Sequence, residues 1–295
     1  MPGEFDFINW LTSQQKTSEL VQRAAGDDLA ILKWASKDLL LVGVDQVLDG
    51  VHFDSKAHDP KSIGRKAMNR NLSDCAAMAC LPSAAVVSVA LANNVGVEYA
   101  KELYLGLKEA GDAFDCPIVG GDTASWPGKL ALTVAILGKS DGIEPVTRAG
   151  AKDGDAIFVT GSLGGSLLGR HMTFAPRVQL ARKLAASGKI SAMIDLSDGL
   201  SRDLDHVCRA SGVAAMLDAA SIPIHEDATA MRRDGRSPLE HALHDGEDYE
   251  LLFTASHCDH PSAIVIGRIG SGSGITIIEG DQQRVVRPEG WQHSL

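Results

Sequence analysis

One stretch of the chain, ISAMIDLSDGLSRDLD at 190–205, places a group of aspartates directly after an apolar segment. The apolar lead-in is typical of a buried β-strand, so the fold must carry a core strand to a polar edge. Ligand sites in α/β proteins favour strand ends and the loops beyond them, because a rigid scaffold aims the side chains there. Asp195 and Asp198 are therefore candidate site residues.

Aspartate recurs at comparable positions elsewhere. Asp45 ends the apolar run LLLVGVD, and Asp122 follows PIVGG, which is interpreted as a strand entering a Gly-Gly turn. Asp28 follows a predicted turn, and Asp74 lies in a helix that is predicted to begin near residue 62. Taken singly, each of these is more typical of a helix cap or a turn. Capping does not explain the repetition at the ends of several apolar strands, which indicates a shared site.

Hydrophobic periodicity predicts strands and helices that alternate irregularly in both halves of the chain. Residues 4–24 are predicted to form an amphipathic helix. The stretch KSDGIEPVTRAGAKDGD at 139–155 is rich in Gly, Pro and charge, and it is the best candidate for a domain boundary. We therefore predict a mixed α/β (α+β) fold of two domains, residues 1–146 and 147–295, each of an ordinary domain size.

Composition excludes several classes of function. The 38 acidic and 28 basic residues give a net charge of −10, so the basic footprint of a nucleic-acid-binding protein is absent. Five cysteines without a CxxC pair argue against a disulfide framework and a zinc site. The N-terminus lacks the pattern of a signal peptide, and the apolar runs are far shorter than the ~20 residues of a membrane helix. We expect a cytoplasmic protein that does not associate with membranes.

Convergence of these carboxylates would need a cation. Two like charges ~4 Å apart repel by about 4 kcal/mol at an effective dielectric constant of 20. Oxygen ligands without histidine or cysteine suit hard cations, above all Mg²⁺, which commonly bridges protein carboxylates to substrate phosphates. The aspartates therefore favour phosphoryl transfer from a nucleotide, in which the protein positions the reactants and neutralises charge.

Other signals are individually weak. The Gly-rich TGSLGGSLLG at 160–169 lacks the ending of a P-loop and the spacing of a Rossmann turn. His52 alone is more typical of a structural histidine, and Arg148 lies in the boundary segment, where a surface role is the default. The acids of HDGEDYELLF at 244–253 are equally consistent with a solvated turn. Trp291 is consistent with either a core residue or a stacking lid.

Taken together and in order, the motifs resemble those of the thiamine-monophosphate kinase family, which belongs to a superfamily with aminoimidazole ribonucleotide synthetase and selenophosphate synthetase. The resemblance spans nearly the whole chain. It is carried by GEF at 3–5, GDDLAIL at 26–32, VDQVLDGVHF at 44–53, NLSDCAAM at 71–78, GGDT at 120–123, TRAGAKDGD at 147–155, VTG at 159–161, IDLSDGLSRDL at 194–204, GEDYELLF at 246–253 and GW at 290–291.

The resemblance implies a role for each matching residue. Magnesium ligands would be Asp28, Asp45, Asp74, Asp122 and Asp195, with Asp198 close to the metals. The nucleotide would contact Gly121, Asp122, Arg148 and Ser197. Thiamine monophosphate would contact His52, Glu247 and Trp291. Asp203 and Asp205 would be an exposed or capping pair on the helix that follows.

The resemblance also implies the reaction and the assembly. The γ-phosphoryl group of ATP would pass directly to the substrate phosphate with several Mg²⁺ ions bound, giving thiamine diphosphate and ADP without a covalent phosphoenzyme. The fold would be that of aminoimidazole ribonucleotide synthetase, with two α/β domains per chain. The N-terminal domains would pair through a shared β-barrel into a homodimer.

The chain departs from the family pattern near the site. Gly43 and Val44 stand where the family usually has hydroxyl residues, Asp245 replaces a glycine beside Glu247, and the segment from Gly165 to His171 is shorter than usual. Two alternatives therefore stay open. One is a superfamily relative that uses ATP to activate another acceptor, and the other is a nucleotide-binding paralogue that has lost catalysis.

Overall fold

The computed structural model describes residues 21–23, 27–33, 37–93 and 95–292, and the secondary structure in these ranges forms two sheets with helices packed on them. The first sheet has the strand order β1-β2-β3-β6-β4-β5. Its strands are β1 Val21–Arg23, β2 Ala30–Lys33, β3 Leu39–Leu48, β4 Leu81–Ala92, β5 Ile118–Trp126 and β6 Ala131–Lys139. Neighbouring strands are antiparallel except for β4 and the edge strand β5, which run parallel.

The register of this sheet separates a covered face from an open face. Asp45 of β3 pairs with Val134 of β6, whose side chain is fully buried in the core under the helices. Val44 pairs with Ala135 and lies on the opposite face, where 64% of the residue is exposed. Because side chains alternate between faces along a strand, Asp45 points towards the helices, and Val44 points towards the open face.

Two helices, α1 Pro60–Ala77 and α2 Gly96–Asp112, cover the first sheet and cross at glycines. Asp59 caps α1 by accepting a hydrogen bond from the Ser62 N–H, and Pro60 occupies the first turn, where its missing N–H costs nothing. A Cβ added at Gly64 of α1 would lie 2.0 Å from the carbonyl oxygen of Leu103 on α2. A side chain at this crossing would therefore push the two helices apart.

The second sheet has the strand order β13-β12-β9-β11-β7-β10-β8. Its strands are β7 Ala156–Val159, β8 Ile190–Asp195, β9 Ala214–Asp218, β10 Leu251–Ala255, β11 Ile264–Gly270, β12 Gly274–Glu279 and β13 Gln282–Val286. The associated helices are α3 Val178–Ala185, α4 Leu200–Ser211, α5 Glu226–Ala230 and α6 Pro238–His244. Short 3₁₀ turns occupy Ser166–Leu168, Arg170–Met172, Ala219–Ser221 and Met231–Asp234. No helix in the described part of the chain has the length and apolar character needed to cross a membrane.

The two sheets meet through α1. Ala76 near its C-terminus and Ala79 just beyond it pack in one apolar cluster with Phe158 and Phe253 of the second sheet, whose rings stack 4.9 Å apart. The same helix carries Met68 and Leu72 into the core of the first sheet. α1 is therefore buried on both sides, which fixes any side chain on it relative to both halves of the molecule.

The structure confirms the predicted mixed α/β class and most of the predicted elements, and it corrects three details. Residues 21–23 form a strand instead of continuing a helix, whereas the rest of that predicted helix, 4–20 and 24, lies outside the described residues. β3 continues past Asp45, and β5 continues through Gly120 and Gly121, so that Asp45 and Asp122 lie within strands. The Gly-Gly pair stays extended, because Gly121 approaches β4 so closely that a Cβ would lie 2.0 Å from the Val87 carbonyl oxygen.

The crossing of α1 and α2 gives a first testable prediction. We expect Gly64→Ala to lower the free energy of unfolding by about 1–3 kcal/mol, because the clash with the Leu103 backbone outweighs the higher helix propensity of alanine. Denaturant melts measure this change. The control is Gly270→Ala, where no described atom lies within 4 Å of the added Cβ and the expected change is below about 0.5 kcal/mol. Equal effects of the two substitutions would contradict the close crossing.

Candidate active site

Three of the predicted aspartates meet in one cluster. Asp28 lies just before β2, Asp74 lies near the end of α1, and Asp195 is the last residue of β8. One carboxylate oxygen from each lies within 4.8 Å of the others. The cluster therefore draws on both halves of the chain, with α1 supplying the member between them.

Two carboxylates of the cluster, and Asp45 nearby, accept hydrogen bonds from side chains of other elements. Arg148 donates from Nε and an Nη atom to the two oxygens of Asp28, at 3.1 and 2.8 Å. Ser73 Oγ donates to Asp195 at 2.6 Å. Arg70 Nε donates to Asp45 at 2.8 Å, which places the Asp45 side chain on the α1 side of the first sheet. These donors fix the orientation of carboxylates that would otherwise repel one another.

Burial and like charge raise the pKa of two carboxyl groups in this cluster. Burial raises the pKa of Asp74 well above its ordinary value, and the charges of Asp45, Asp195 and Asp28 raise it further. The pKa of Asp195 rises to about 7, chiefly through burial and the charge of Asp28, against the opposing effects of Ser73 and Arg148. A bound cation would reverse these shifts. The donor set is made of carboxylate oxygens, so the residues fit a hard cation such as Mg²⁺.

A second acidic group adjoins the first. Asp198, Asp203 and His206 each offer a ligand atom within 4.8 Å of the others. Asp203 is buried and accepts hydrogen bonds from the N–H groups of Asp198 and Gly199, so it caps the start of α4. Burial and the charge of Asp198 raise the pKa of Asp203 well above its ordinary value. Asp205 pairs instead with Arg209 one turn later.

His206 is held in its neutral form. Burial and the positive charges of Arg148 and Arg202 lower its pKa to about 4. A neutral imidazole adds no positive charge to a region where several carboxylates already need cations. Its position beside Asp198 nevertheless makes His206 a neighbour of the predicted metal region that sequence reasoning did not identify.

Two of the predicted substrate residues, His52 and Glu247, line one cleft of about 560 Å³. Its other walls include His58 and His171, whose rings lie edge to face at 5.9 Å, and the Gly-rich segment of Leu167 and Leu168. The His52 Nδ1 accepts a hydrogen bond from the Leu48 N–H at 3.0 Å, so the neutral ring carries its proton on Nε2. The volume lies within the range of about 300–1,000 Å³ that is usual for small-molecule sites.

Glu247 reaches the cleft from an unusual backbone conformation. Its φ is +53° and that of Tyr249 is +52°, values that residues with a Cβ adopt rarely. The Glu247 N–H donates to the Ser197 carbonyl at 2.8 Å, and the Tyr249 N–H donates to the Leu196 carbonyl at 2.9 Å. These bonds hold the strained turn against the loop that follows β8, and this is where the structure places Ser197.

Trp291, the third predicted substrate residue, is anchored beside the acidic loop. Its N–H donates to the Asp198 carbonyl at 2.9 Å, and a Cβ at the preceding Gly290 would lie 2.0 Å from the same oxygen. Its side chain is half-exposed, and the described walls of the cleft of His52 and Glu247 do not include it. Trp291 therefore lies beside the loop of Asp198.

The structure does not bring Gly121 and Asp122 to the carboxylate cluster within one chain. Gly121 lies in register with Asp45 across three strand spacings, which is roughly 14 Å along the sheet. Both residues instead line a second, largely apolar cavity of about 490 Å³ between β5 and α2. Tyr104 of α2 lines the same cavity, a residue that the sequence analysis did not single out.

The departures from the family pattern have structural explanations. A Cβ at Gly43 would lie 2.1 Å from Leu29 Cδ2, so Leu29 fills the space where a side chain would stand. The Asp245 side chain is buried and does not line the cleft. It accepts a hydrogen bond from the Gly165 N–H and contacts His241. The shortened segment still reaches the cleft through Leu167 and Leu168.

Sequence reasoning missed two cations of this site, Lys66 and Arg70. Lys66 Nζ donates to Glu247 at 2.8 Å, and Arg70 lies between Asp45 and Glu247. A signal was available, because Lys66, Arg70 and Asp74 are spaced by four residues and therefore share one face of α1. Charged residues on the buried face of a helix need partners, which indicates a site.

The chain is similar to known proteins in both sequence and fold. A family model described as the N-terminal domain of AIR synthase related proteins matches residues 26–140, so this part of the chain has the fold of the AIR synthase class. The thiamine-monophosphate kinase of Rhodopirellula baltica is 43% identical over 258 residues, which are 85% of this chain and 81% of that protein. That of Aquifex aeolicus is 32% identical and covers 99% of this chain and 98% of its own length.

A solved structure agrees with these matches. AaThiL complexed with AMPPCP and TMP superposes with a TM-score of 0.86 at 30% identity, covering 99% of this chain and 97% of that chain. The chain belongs to the thiamine-monophosphate kinase family. The resemblance read from its motifs and the expected AIR synthase-like fold are both confirmed.

The carboxylate cluster gives a second testable prediction, which concerns the metal-free protein. Between pH 3.8 and its raised folded pKa, Asp74 binds more protons in the folded state than in the unfolded state. Its contribution to stability therefore falls as pH rises, and Asp74→Asn removes this loss. We expect the Asn variant to melt higher than the wild type in EDTA, by roughly 1–3 kcal/mol in unfolding free energy, with a difference that widens from pH 5 to pH 8.

The control is Asp122→Asn on the exposed edge strand, where we expect a change below about 0.5 kcal/mol at both pH values. Thermal melts of the three proteins measure the effect. A lower melting temperature for Asp74→Asn at pH 8 would show that the carboxylates do not repel one another as the geometry implies.

Proposed function

We propose that this chain phosphorylates thiamine monophosphate to thiamine diphosphate with ATP and Mg²⁺, by direct in-line transfer of the γ-phosphoryl group. The observation that carries the proposal is the arrangement along α1. Asp74 joins the carboxylate cluster, and Lys66, two turns earlier on the same face, contacts Glu247 in the cleft. A metal-binding region and a small-molecule cleft therefore adjoin along one helix. The likeness to AaThiL complexed with AMPPCP and TMP supports the same activity.

Asp28, Asp74 and Asp195 would hold Mg²⁺, with Asp45 and Asp198 close by. The bound ions would neutralise the phosphate charges during transfer. The chain's own contribution is orientation. Arg148 aligns both oxygens of Asp28, and Ser73 aligns Asp195. Asp122 stays a proposed ligand, although it lies away from this cluster within one chain.

The cleft would take the heterocycles of thiamine monophosphate, with the phosphate directed to the carboxylate cluster. Thiamine carries a fixed positive charge on its thiazolium ring, and the Glu247 carboxylate lies in the cleft wall. His52 would contact the substrate from the wall of this cleft. Trp291, beside the loop of Asp198, would pack against an aromatic ring of the substrate.

For the nucleotide, we propose that Gly121 and Asp122 contribute with the apolar cavity that they line. An apolar cavity with one tyrosine ring suits a nucleobase, because every base offers an aromatic face for stacking. Arg148 and Ser197 would contact the nucleotide from the side of the acidic loop. The Arg148 side chain is bonded to the Asp28 carboxylate, and the Ser197 carbonyl accepts a hydrogen bond from the Glu247 N–H. Both residues are therefore held beside carboxylates.

We also propose a homodimer formed through the open face of the first sheet. Val44 and Val86 lie in one row across this face, and both are exposed. Trp126 of the edge strand β5, which pairs with Ala92, is exposed as well. An apolar sheet face of this kind is typical of an interface, and two such faces would close into a barrel. The proposed domain division, 1–146 and 147–295, leaves this face wholly within the N-terminal domain.

We propose a cytoplasmic location, where ATP is available. All five cysteines are free thiols, as expected in a reducing compartment.

The primary test is ADP release from Mg-ATP with and without thiamine monophosphate, with the product identified by mass. We expect ADP release that depends on the substrate and a product heavier by one phosphate group. ATP binding without turnover would indicate a paralogue that has lost catalysis. Turnover only with a different acceptor would indicate another branch of the superfamily.

A third testable prediction concerns Asp195. We expect Asp195→Asn to reduce turnover by about 10²–10³-fold and to remove the rise in melting temperature that Mg²⁺ gives the wild type, because the proposed metal ligand set loses a charge. The matched control is Asp155→Asn, another buried carboxylate, which accepts hydrogen bonds from Lys152 and Ser191. This variant should melt lower yet keep turnover within about threefold. Equal turnover of the two variants would refute the metal assignment.

A further inference from the structure

Lys66 is a wholly buried cation in the wall between the two halves of the site. It lies in the middle of α1 with no exposed surface. Its Nζ donates a hydrogen bond to Glu247 Oε2 at 2.8 Å and another to the carbonyl oxygen of His52 at 2.6 Å. One ammonium group therefore binds both predicted substrate residues that line the cleft.

These two acceptors reach Lys66 from different parts of the chain. His52 follows β3 of the first sheet, and Glu247 precedes β10 of the second sheet, in the turn with positive φ. The bond to the His52 carbonyl holds the loop that carries His52. The imidazole of the same residue accepts a hydrogen bond from the Leu48 N–H. The bond to Glu247 holds a side chain that lies 181 residues away along the chain. Lys66 therefore fixes the spacing between the two walls.

A buried ammonium group is an expensive way to join two walls. Burial lowers the pKa of Lys66 to about 8, although the charge and hydrogen bond of Glu247 oppose this effect. Apolar side chains could hold two elements together at less cost, since burying a cation requires partners that replace its water. A cation at this place, with both of its acceptors in the cleft wall, indicates a role in the geometry of the cleft.

Arg182 shows what a purely structural cation looks like in the same molecule. From α3 it donates to the carbonyl oxygens of Ala79, Ser140 and Asp141, and so it also ties the two halves together. None of these acceptors lines the cleft of His52 and Glu247. Arg182 therefore resembles Lys66 because it joins the two halves of the molecule, and it differs because its acceptors do not line the cleft.

We propose that Lys66 is a positioning residue for substrate specificity, which sets Glu247 and the His52 loop at the spacing that fits the heterocycle of the phosphorylated substrate. The inference rests on the proposed function. Lys66 acts through Glu247 and His52 and does not contact the transferred phosphoryl group. Its loss should consequently affect recognition of the acceptor more than recognition of the nucleotide.

The experiment is steady-state kinetics of Lys66→Met, which keeps the length of the side chain and removes its charge. We expect the KM for thiamine monophosphate to rise at least tenfold, with the KM for ATP within threefold of the wild type. Arg182→Met is the matched control and should lower the melting temperature with both KM values unchanged. Lys66→Gln replaces Lys66→Met in the same comparison should the Met variant fail to fold.

A double-mutant cycle with Glu247→Gln tests whether Lys66 acts through Glu247. In the Glu247→Gln background we expect Lys66→Met to raise the KM for thiamine monophosphate by less than the tenfold expected in the wild type, because only its bond to the His52 carbonyl is then lost. Equal shifts in both KM values, an unchanged KM for the acceptor, or fully additive effects would each overturn the proposal. Absence of turnover in the wild type would refute the proposed function itself, whereas normal wild-type turnover with an unaffected Lys66 variant would refute this inference alone.

Discussion

The repulsion among buried carboxylates is the constraint on which the rest of the site depends. Asp28, Asp74 and Asp195 lie within ligand distance of one another in a region where burial and mutual charge raise the pKa of Asp74 and of Asp195. The fold tolerates this arrangement because each neighbouring carboxylate has a fixed donor. Arg148 compensates the charge of Asp28 and Arg70 that of Asp45, and the carboxylate oxygens between them suit the hard cation that we propose.

The helix α1 meets this constraint by combining three roles. Its glycine crossing with α2 fixes its position on the first sheet, because a Cβ at Gly64 would meet the Leu103 backbone. Ala76 near its C-terminus packs against the second sheet, which carries Asp195. Its charged face then carries Lys66 and Arg70 towards the cleft. A shift of this helix would therefore disturb the carboxylate cluster and the cleft of His52 and Glu247 together.

The sequence alone predicted the class of fold and most of its elements, because hydrophobic periodicity is a local pattern. Asp195 ends an apolar strand as predicted, whereas Asp28 precedes a strand and Asp74 lies on α1, so that the meeting of the three depends on the tertiary fold. The sequence did not predict Lys66, because the burial of that side chain depends on Glu247, 181 residues away. Nor did it predict that β5 runs straight through Gly120 and Gly121, since glycine signals a turn unless a neighbouring strand comes close. Capping was predicted as one role for Asp203. The sequence could not predict the burial of the Asp203 side chain, because that burial depends on how the acidic loop packs.

The strained turn before β10 shows how neighbouring residues can serve opposite sides of the site. With positive φ at Gly246, Glu247 and Tyr249, successive side chains diverge sharply. Glu247 enters the cleft, while Asp248 accepts from the Gly164 N–H and from Arg170 beneath the Gly-rich segment. Tyr249 is buried against Phe174, with ring centroids 3.8 Å apart. Two adjacent residues of this turn therefore hold two walls of the cleft: Glu247 supplies its own carboxylate, and Asp248 anchors the segment of Leu167 and Leu168. The short segment therefore still forms a wall of the cleft, because its anchor Asp248 adjoins Glu247 in the chain.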